Sequence, residues 1–144
     1  RPARDLSRCR PRARKWFIRF LDARRPANLG TSLLDLPRFE AALGEIDLQL
    51  TTSEALLRSL ADQADRGLPV SKELSWGAKT LANRAAITSV QTMVGLIGNP
   101  GLSRSNPLER HLRDVYSSRV HFPQEDTVIA LFGRQAKASL TTGR

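Results

Sequence analysis

The sequence predicts an all-α protein, an antiparallel helical bundle. Two long stretches between residues 37 and 97 repeat their apolar residues at helical spacing. Short breaks containing Gly and Pro separate the candidate helices. No segment shows the sustained apolar–polar alternation of a half-buried strand.

The elements follow in chain order. Residues 16–23, Trp-Phe-Ile-Arg-Phe-Leu-Asp-Ala, read as a short or truncated apolar helix, broken by Pro26 and Gly30. Asp35 and Pro37 then open a long helix over 37–66. Its apolar residues Phe39, Leu43, Ile46, Leu50, Leu57 and Leu60 are spaced by alternating fours and threes, with one interruption at Ser53. Such spacing lines up one stripe on a helix, here roughly 45 Å long at about 1.5 Å per residue. Gly67 and Pro69 stop it. Ser71 is a natural N-cap for a second long helix over 71–97. That helix carries Leu74, Ala78, Leu81 and Ala85 on one stripe, and Ile87, Val90, Val94 and Ile97 on another. So wide an apolar arc predicts packing on more than one side. Gly98-Asn99-Pro100-Gly101 reads as a loop. Asn106 caps the next helix, with Pro107 at its first position and Glu109 placed to reach back as in a capping box; this helix ends before Pro123. A last helix over 124–140 has Gln124, Glu125 and Asp126 in its first turn. Its apolar face is Val128, Ile129, Leu131 and Phe132.

Composition narrows the class. A chain of 144 residues suits one domain with a real core. It has no apolar run of bilayer-spanning length, so no membrane association is expected. One cysteine, Cys9, excludes an internal disulfide and fits a reducing, cytoplasmic location. Two histidines and one cysteine make a zinc site improbable, and no metal is expected. The net charge of +9 would suggest nucleic acid, but residues 1–15 carry +6 of it. The charge thus belongs to a Pro/Arg-rich segment and not to a face of the domain. Residues 1–15 are expected to be a disordered basic tail, 16–140 the bundle, and 141–144 a second short tail. No specific nucleic-acid partner is expected. The only methionine is Met93, and the missing initiator Met predicts a piece of a longer protein.

The most informative motif is Asn106-Pro107-Leu108-Glu109-Arg110-His111-Leu112-Arg113-Asp114, followed by Ser117-Ser118-Arg119-Val120-His121. It resembles the C-terminal helical domain of acyl-CoA dehydrogenase-like flavoproteins, over about residues 16–140. Within that family it is most similar to the flavin-dependent monooxygenase branch, of the dibenzothiophene monooxygenase and p-hydroxyphenylacetate hydroxylase type. The resemblance implies a flavin cofactor (FAD or FMN) and a small-molecule substrate. It also implies upstream domains in the parent chain and self-association as a homotetramer or a dimer of dimers.

The resemblance also implies site residues. Arg24-Arg25-Pro26-Ala27-Asn28-Leu29-Gly30 stands where the family has an Arg-x-x-Phe-Gly segment. Arg25, or after it Arg24, would meet flavin phosphate, which a guanidinium binds in bidentate fashion; Leu29 replaces the family's aromatic. Gln91-Thr92-Met93-Val94-Gly95 resembles a Gln-x-x-Gly-Gly turn. Gln91 and Gly95 match, and Val94 replaces the first glycine. Arg113-Asp114 matches the family's Arg-Asp pair and reads as a structural ion pair on an inward face. Arg110 reads as an exposed helix residue.

The dehydrogenases take their base from a Tyr-Glu-Gly-Thr segment after Arg-Asp. Counted from Asp114, that glutamate falls on Phe122 and its tyrosine on His121. Glu125 comes three residues late, at a helix start. A base from another helix, as in some family members, would still permit dehydrogenation. In the monooxygenase branch a histidine at this place faces the flavin, so His121 becomes the candidate catalytic residue, able to exchange protons near neutral pH. His111, mid-helix, reads as structural. A stand-alone helical binding module with a basic tail is the alternative from outside enzymology.

Overall fold

The computed structural model describes residues 3–142, and the side chains of residues 12–140. Helix α1 (Ala3–Ala23) leads through a 3-10 turn at Leu33–Asp35 to α2 (Pro37–Asp65). Helix α3 (Lys72–Ile97) is followed by the four-residue α4 (Asn99–Leu102) and by α5 (Pro107–Ser117). A 3-10 turn at Ser118–Val120 then leads to α6 (Glu125–Thr142); no strand occurs among the described residues. The all-α expectation holds.

Helix α3 is the central element. It packs antiparallel to α2 and also touches α5, α6 and, less extensively, α1. The seam of α2 repeats every seven residues. Phe39, Ile46, Ser53 and Leu60 are buried, while Leu43, Leu50 and Leu57 are half-buried beside them. A seven-residue repeat keeps one stripe on a neighbouring helix. The interruption at Ser53 is accommodated locally, because its Oγ donates to the Leu50 carbonyl at 3.0 Å. Gly67 takes φ +70° where α2 ends, a left-handed conformation that glycine adopts without a Cβ penalty. Ser71 caps α3 as expected, accepting from the Leu74 N–H at 3.0 Å. The core cluster joins Phe17 and Leu21 of α1, Phe39 and Ile46 of α2, Ala86, Val90 and Met93 of α3, and Leu108 and Val115 of α5.

Several local expectations are corrected. The boundary expected after residue 15 is absent, since α1 runs unbroken from Ala3 through it. Ala13 lies in the core, and the Arg14 guanidinium forms a two-pronged ion pair with Asp47 on α2. The helix therefore begins well before Trp16, and its spacing of Ala13, Phe17 and Leu21 continues the apolar stripe backward. The other ends of the two expected tails, residues 1–2 and 143–144, lie outside the described residues. The 98–101 loop instead contains the turn α4: Gly98 at φ +66° ends α3, and Gly101 packs against it. A Cβ on Gly101 would stand 3.0 Å from the Val94 Cα.

Asn106 makes no cap hydrogen bond. Its side-chain amide donates to the Pro100 carbonyl at 2.9 Å, which fastens α5 to α4. Glu109 pairs with Arg113 and does not reach back. On α3 the stripe of Leu74, Ala78, Leu81 and Ala85 is only partly covered, for Leu74 and Leu81 are 44% and 51% exposed. On α6, Val128 is buried, Leu131 is half-buried, and Ile129 and Phe132 are 50% and 44% exposed. Tertiary contact, not periodicity, decides which of these apolar side chains are covered.

Candidate functional site

The segment joining α5 to α6 is held from one face of α3. Ser118 is buried, and its Oγ donates to the Val115 carbonyl at 2.6 Å. The Asn83 side-chain amide donates to the Ser118 carbonyl at 3.5 Å. Lys79 donates from Nζ to two carbonyls of the same segment, His121 at 2.5 Å and Pro123 at 2.9 Å. Burial pushes the Lys79 ammonium below its ordinary pKa. Trp76 meets Phe122 edge-on, with centroids 5.4 Å apart, and Lys72 lies over the Trp76 ring. Arg84 closes the series by pairing with Glu125 at 2.7 Å. Trp76, Lys79 and Asn83 are three and four residues apart, so one helix face presents all three.

What this face presents is the run Val120-His121-Phe122. His121 is exposed, flanked by Val120 at 70% and Phe122 at 74% exposure. Two large apolar side chains beside an exposed imidazole are unusual on a free surface. The supporting residues were not anticipated in the sequence. The signal was there in part: Trp76, Lys79 and Asn83 recur at helical spacing on one face of α3. Their partners lie 35 to 46 residues away, which no local pattern reveals.

The candidate cofactor residues lie on α3 and in the loop after α1. Gln91 and Gly95 sit one turn apart on the outer face of α3, both exposed. Gln91 donates from Nε2 to the Tyr116 hydroxyl. Beyond its own turn of helix backbone and its chain neighbours, no atom lies within 4 Å of where a Gly95 Cβ would stand. Arg25 is exposed in the loop after α1, and Arg24 beside it is exposed as well. Asp35 is held below its ordinary pKa by hydrogen bonds from Thr31 and Ser32, with a further contribution from the Arg25 charge. That loop leads into the start of α2, which lies beside the end of α3. Gly95 stands about 24 Å along α3 from Lys79, at 1.5 Å per residue. Gln91 is tied through Tyr116 to the end of α5, while Arg25 lies in the loop beside Asp35.

The Arg113–Asp114 pair does not form. Arg113 is exposed and pairs with Glu109, while Asp114 faces Arg110 at 3.7 Å. Successive residues on a helix point about 100° apart, so neighbours in sequence are poor partners. Arg110 is exposed, as expected. His111 is half-buried. Burial is the main cause lowering its pKa, opposed by Asp114 and reinforced by Arg110 and Arg12, which suits a structural histidine between α5 and α1. Among the described residues no group of side chains could hold a metal, and no helix is long and apolar enough to cross a membrane.

Residues 16–121 match the family model described as acyl-CoA dehydrogenase, C-terminal domain. The chain belongs to this family. A putative acyl-CoA dehydrogenase, YdbM of Bacillus subtilis, is 28% identical over 127 residues, covering 86% of this chain and 33% of YdbM. Two solved structures share the fold. Butyryl-CoA dehydrogenase from Megasphaera elsdenii superposes with a TM-score of 0.80 at 19% identity. A structure described as an electron transferring flavoprotein of Acidaminococcus fermentans superposes with a TM-score of 0.79 at 17% identity. Each covers 89% of this chain, which spans 33% of either one. An acyl-CoA dehydrogenase C-terminal domain of this length is therefore a third of such a protein.

Proposed function

We propose that this chain is the C-terminal domain of a flavin-dependent oxidoreductase of monooxygenase type, with His121 as its proton-transfer residue. The presentation of His121 carries the reading: α3 holds its backbone, its imidazole is exposed, and apolar neighbours flank it on both sides. Such a histidine is placed to be covered by the rest of a parent chain while its ring remains available to a substrate. An imidazole can accept a proton and hand it on. No carboxylate occupies positions 120–123, where the resemblance expects a dehydrogenase base.

Flavin, when bound, supplies the redox chemistry. Three exposed candidate residues offer groups that fit it. Arg25 offers an exposed guanidinium to phosphate, Gln91 an exposed amide, and Gly95 a position without a side chain for close approach. The half-exposed Leu74, Leu81, Ile129 and Phe132 support self-association, as a homotetramer or dimer of dimers, or coverage by upstream domains.

A second reading is acyl-CoA dehydrogenation with the base supplied from another helix. It is favoured by the names of the relatives, YdbM and butyryl-CoA dehydrogenase. One experiment separates the two in the full-length parent. Under anaerobic conditions a saturated acyl-CoA should leave the flavin's visible absorbance unchanged, whereas supplied reducing equivalents should drive oxygen-dependent turnover. Bleaching by acyl-CoA would select the dehydrogenase reading. His121→Ala should slow turnover by roughly 10²–10⁴-fold with flavin content intact.

A further inference from the structure

We propose that Lys79 is a positioning residue, whose ammonium fixes the His121–Pro123 backbone and so sets where the His121 imidazole stands. Its functional half rests on the reading of His121 given above. The geometry is specific. A single Nζ reaches two carbonyls that flank Phe122, at 2.5 and 2.9 Å. Neither His121 O nor Pro123 O belongs to a regular helix ladder, because α6 begins only at Glu125. Such carbonyls need a donor from elsewhere when they turn toward the protein. A charged donor makes the stronger bond, and two acceptors on one cation constrain the intervening residue from both sides.

The neighbours of Lys79 act on the same segment without replacing it. Asn83 reaches Ser118 at the segment's start, and Arg84 reaches Glu125 at its end. Trp76 touches Phe122 through its ring edge. Only Lys79 bonds the backbone on either side of Phe122 among the interactions described. Without it, the backbone between Ser118 and Glu125 would be tethered only at its two ends, with the Phe122 side chain still against Trp76. A displacement of about 1 Å at a reacting group can cost on the order of 100-fold in rate, so loosening this backbone is expected to register in catalysis.

The test uses the full-length flavoprotein with Lys79→Met, which keeps the aliphatic stem, and Lys79→Gln as a second variant should the first fold poorly. Hydrogen exchange is followed by mass spectrometry on peptides covering 118–124, with peptides from α2 as the internal control. Turnover and flavin content are measured on the same samples, beside His121→Ala. The expected result is severalfold faster exchange confined to 118–124. With it comes a fall in kcat of roughly 10- to 100-fold at nearly unchanged KM and flavin content. Unchanged exchange at 118–124 would overturn the proposal whatever turnover does. Faster exchange with full turnover, where His121→Ala is impaired, would overturn the positioning of His121. If His121→Ala itself is fully active, the reading of the histidine fails, and the exchange result alone decides whether Lys79 fixes this backbone.

Discussion

Helices α2 and α6 both pack on α3, yet they are held differently. Helix α2 buries a residue every seven positions along its length, from Phe39 to Leu60. Among its described side chains, helix α6 buries only Val128 and leaves Ile129 and Phe132 about half exposed. Its firmest ties lie near its start: Arg84 on Glu125 and, just before it, Lys79 on Pro123. The α2–α3 hairpin is joined by a continuous buried seam, whereas α6 leaves about half of its apolar face exposed. The contrast separates a seam that specifies the fold from a helix held mainly near its start.

The largest expected effect tests the first half of that contrast. Phe39→Ala removes a fully buried ring from the α2–α3 seam and should destabilise by about 3–5 kcal/mol, as large-to-small changes in cores do. Val128→Ala on α6 should cost less, about 2 kcal/mol, because only two methyl groups leave the protein interior. Chemical denaturation of both variants measures the difference. Equal losses would show that α6 is as integral as α2.

Two glycines sharpen the comparison. Gly101 faces backbone, with the Val94 Cα 3.0 Å from where a Cβ would stand. Gly77 faces the Phe132 ring tip of α6 at the same 3.0 Å. Backbone cannot step aside, but an exposed ring at the end of a flexible side chain can. Gly101→Ala is expected to cost about 1–3 kcal/mol through overpacking. Gly77→Ala should be near neutral, since alanine's better helix propensity, worth about 1 kcal/mol, offsets a shifted ring. A costly Gly77→Ala would mean that α6 is fixed in place more firmly than its burial implies.

These differences explain what could be read from the sequence. The α2–α3 hairpin was legible because its period, its Ser71 cap and its Gly67 stop are local. The apolar face of α6 was not, since periodicity identifies an amphipathic helix but not whether the surface that covers it is present. Asn106 was read as a cap and proves to bind Pro100, a choice between two carbonyl and amide partners that only the α4 turn decides. The site behaves likewise. His121 was reached through the family resemblance, while Lys79, Asn83 and Trp76 act on residues far along the chain. The Arg113–Asp114 pair failed for a simpler reason, since adjacent helical residues diverge and each found a partner one turn away.

The α1–α5 contact responds to pH through His111. Burial lowers its folded pKa below the ordinary 6.5. The folded state therefore favours the neutral ring, and the unfolded state binds a proton more readily as pH falls. The stabilising contribution is full above about pH 6.5 and is lost as pH drops through the lowered value. Thermal unfolding followed from pH 7.5 downward should show this loss, and His111→Gln should flatten that part of the curve. An unaltered slope in the variant would assign the pH dependence to other groups.

A small expected effect concerns where the domain begins. Arg14 holds Asp47 through two parallel bonds, and those bonds raise the pKa of its guanidinium. Both side chains remain about two-fifths exposed, at 38% and 41%. Exposed ion pairs contribute about 0.2–1 kcal/mol, and a two-pronged geometry belongs at the upper end of that range. Arg14→Ala and Asp47→Asn should therefore each cost up to about 1 kcal/mol, and the double variant should cost little more than either, because they remove the same interaction. The coupling should shrink as salt is raised, since partly exposed charges are screened. If residues before Trp16 were instead a loose tail, Arg14→Ala would leave stability unchanged at every salt concentration. A measurable coupling that fades with salt places α1, at least from Ala13 onward, inside the folded unit with α2.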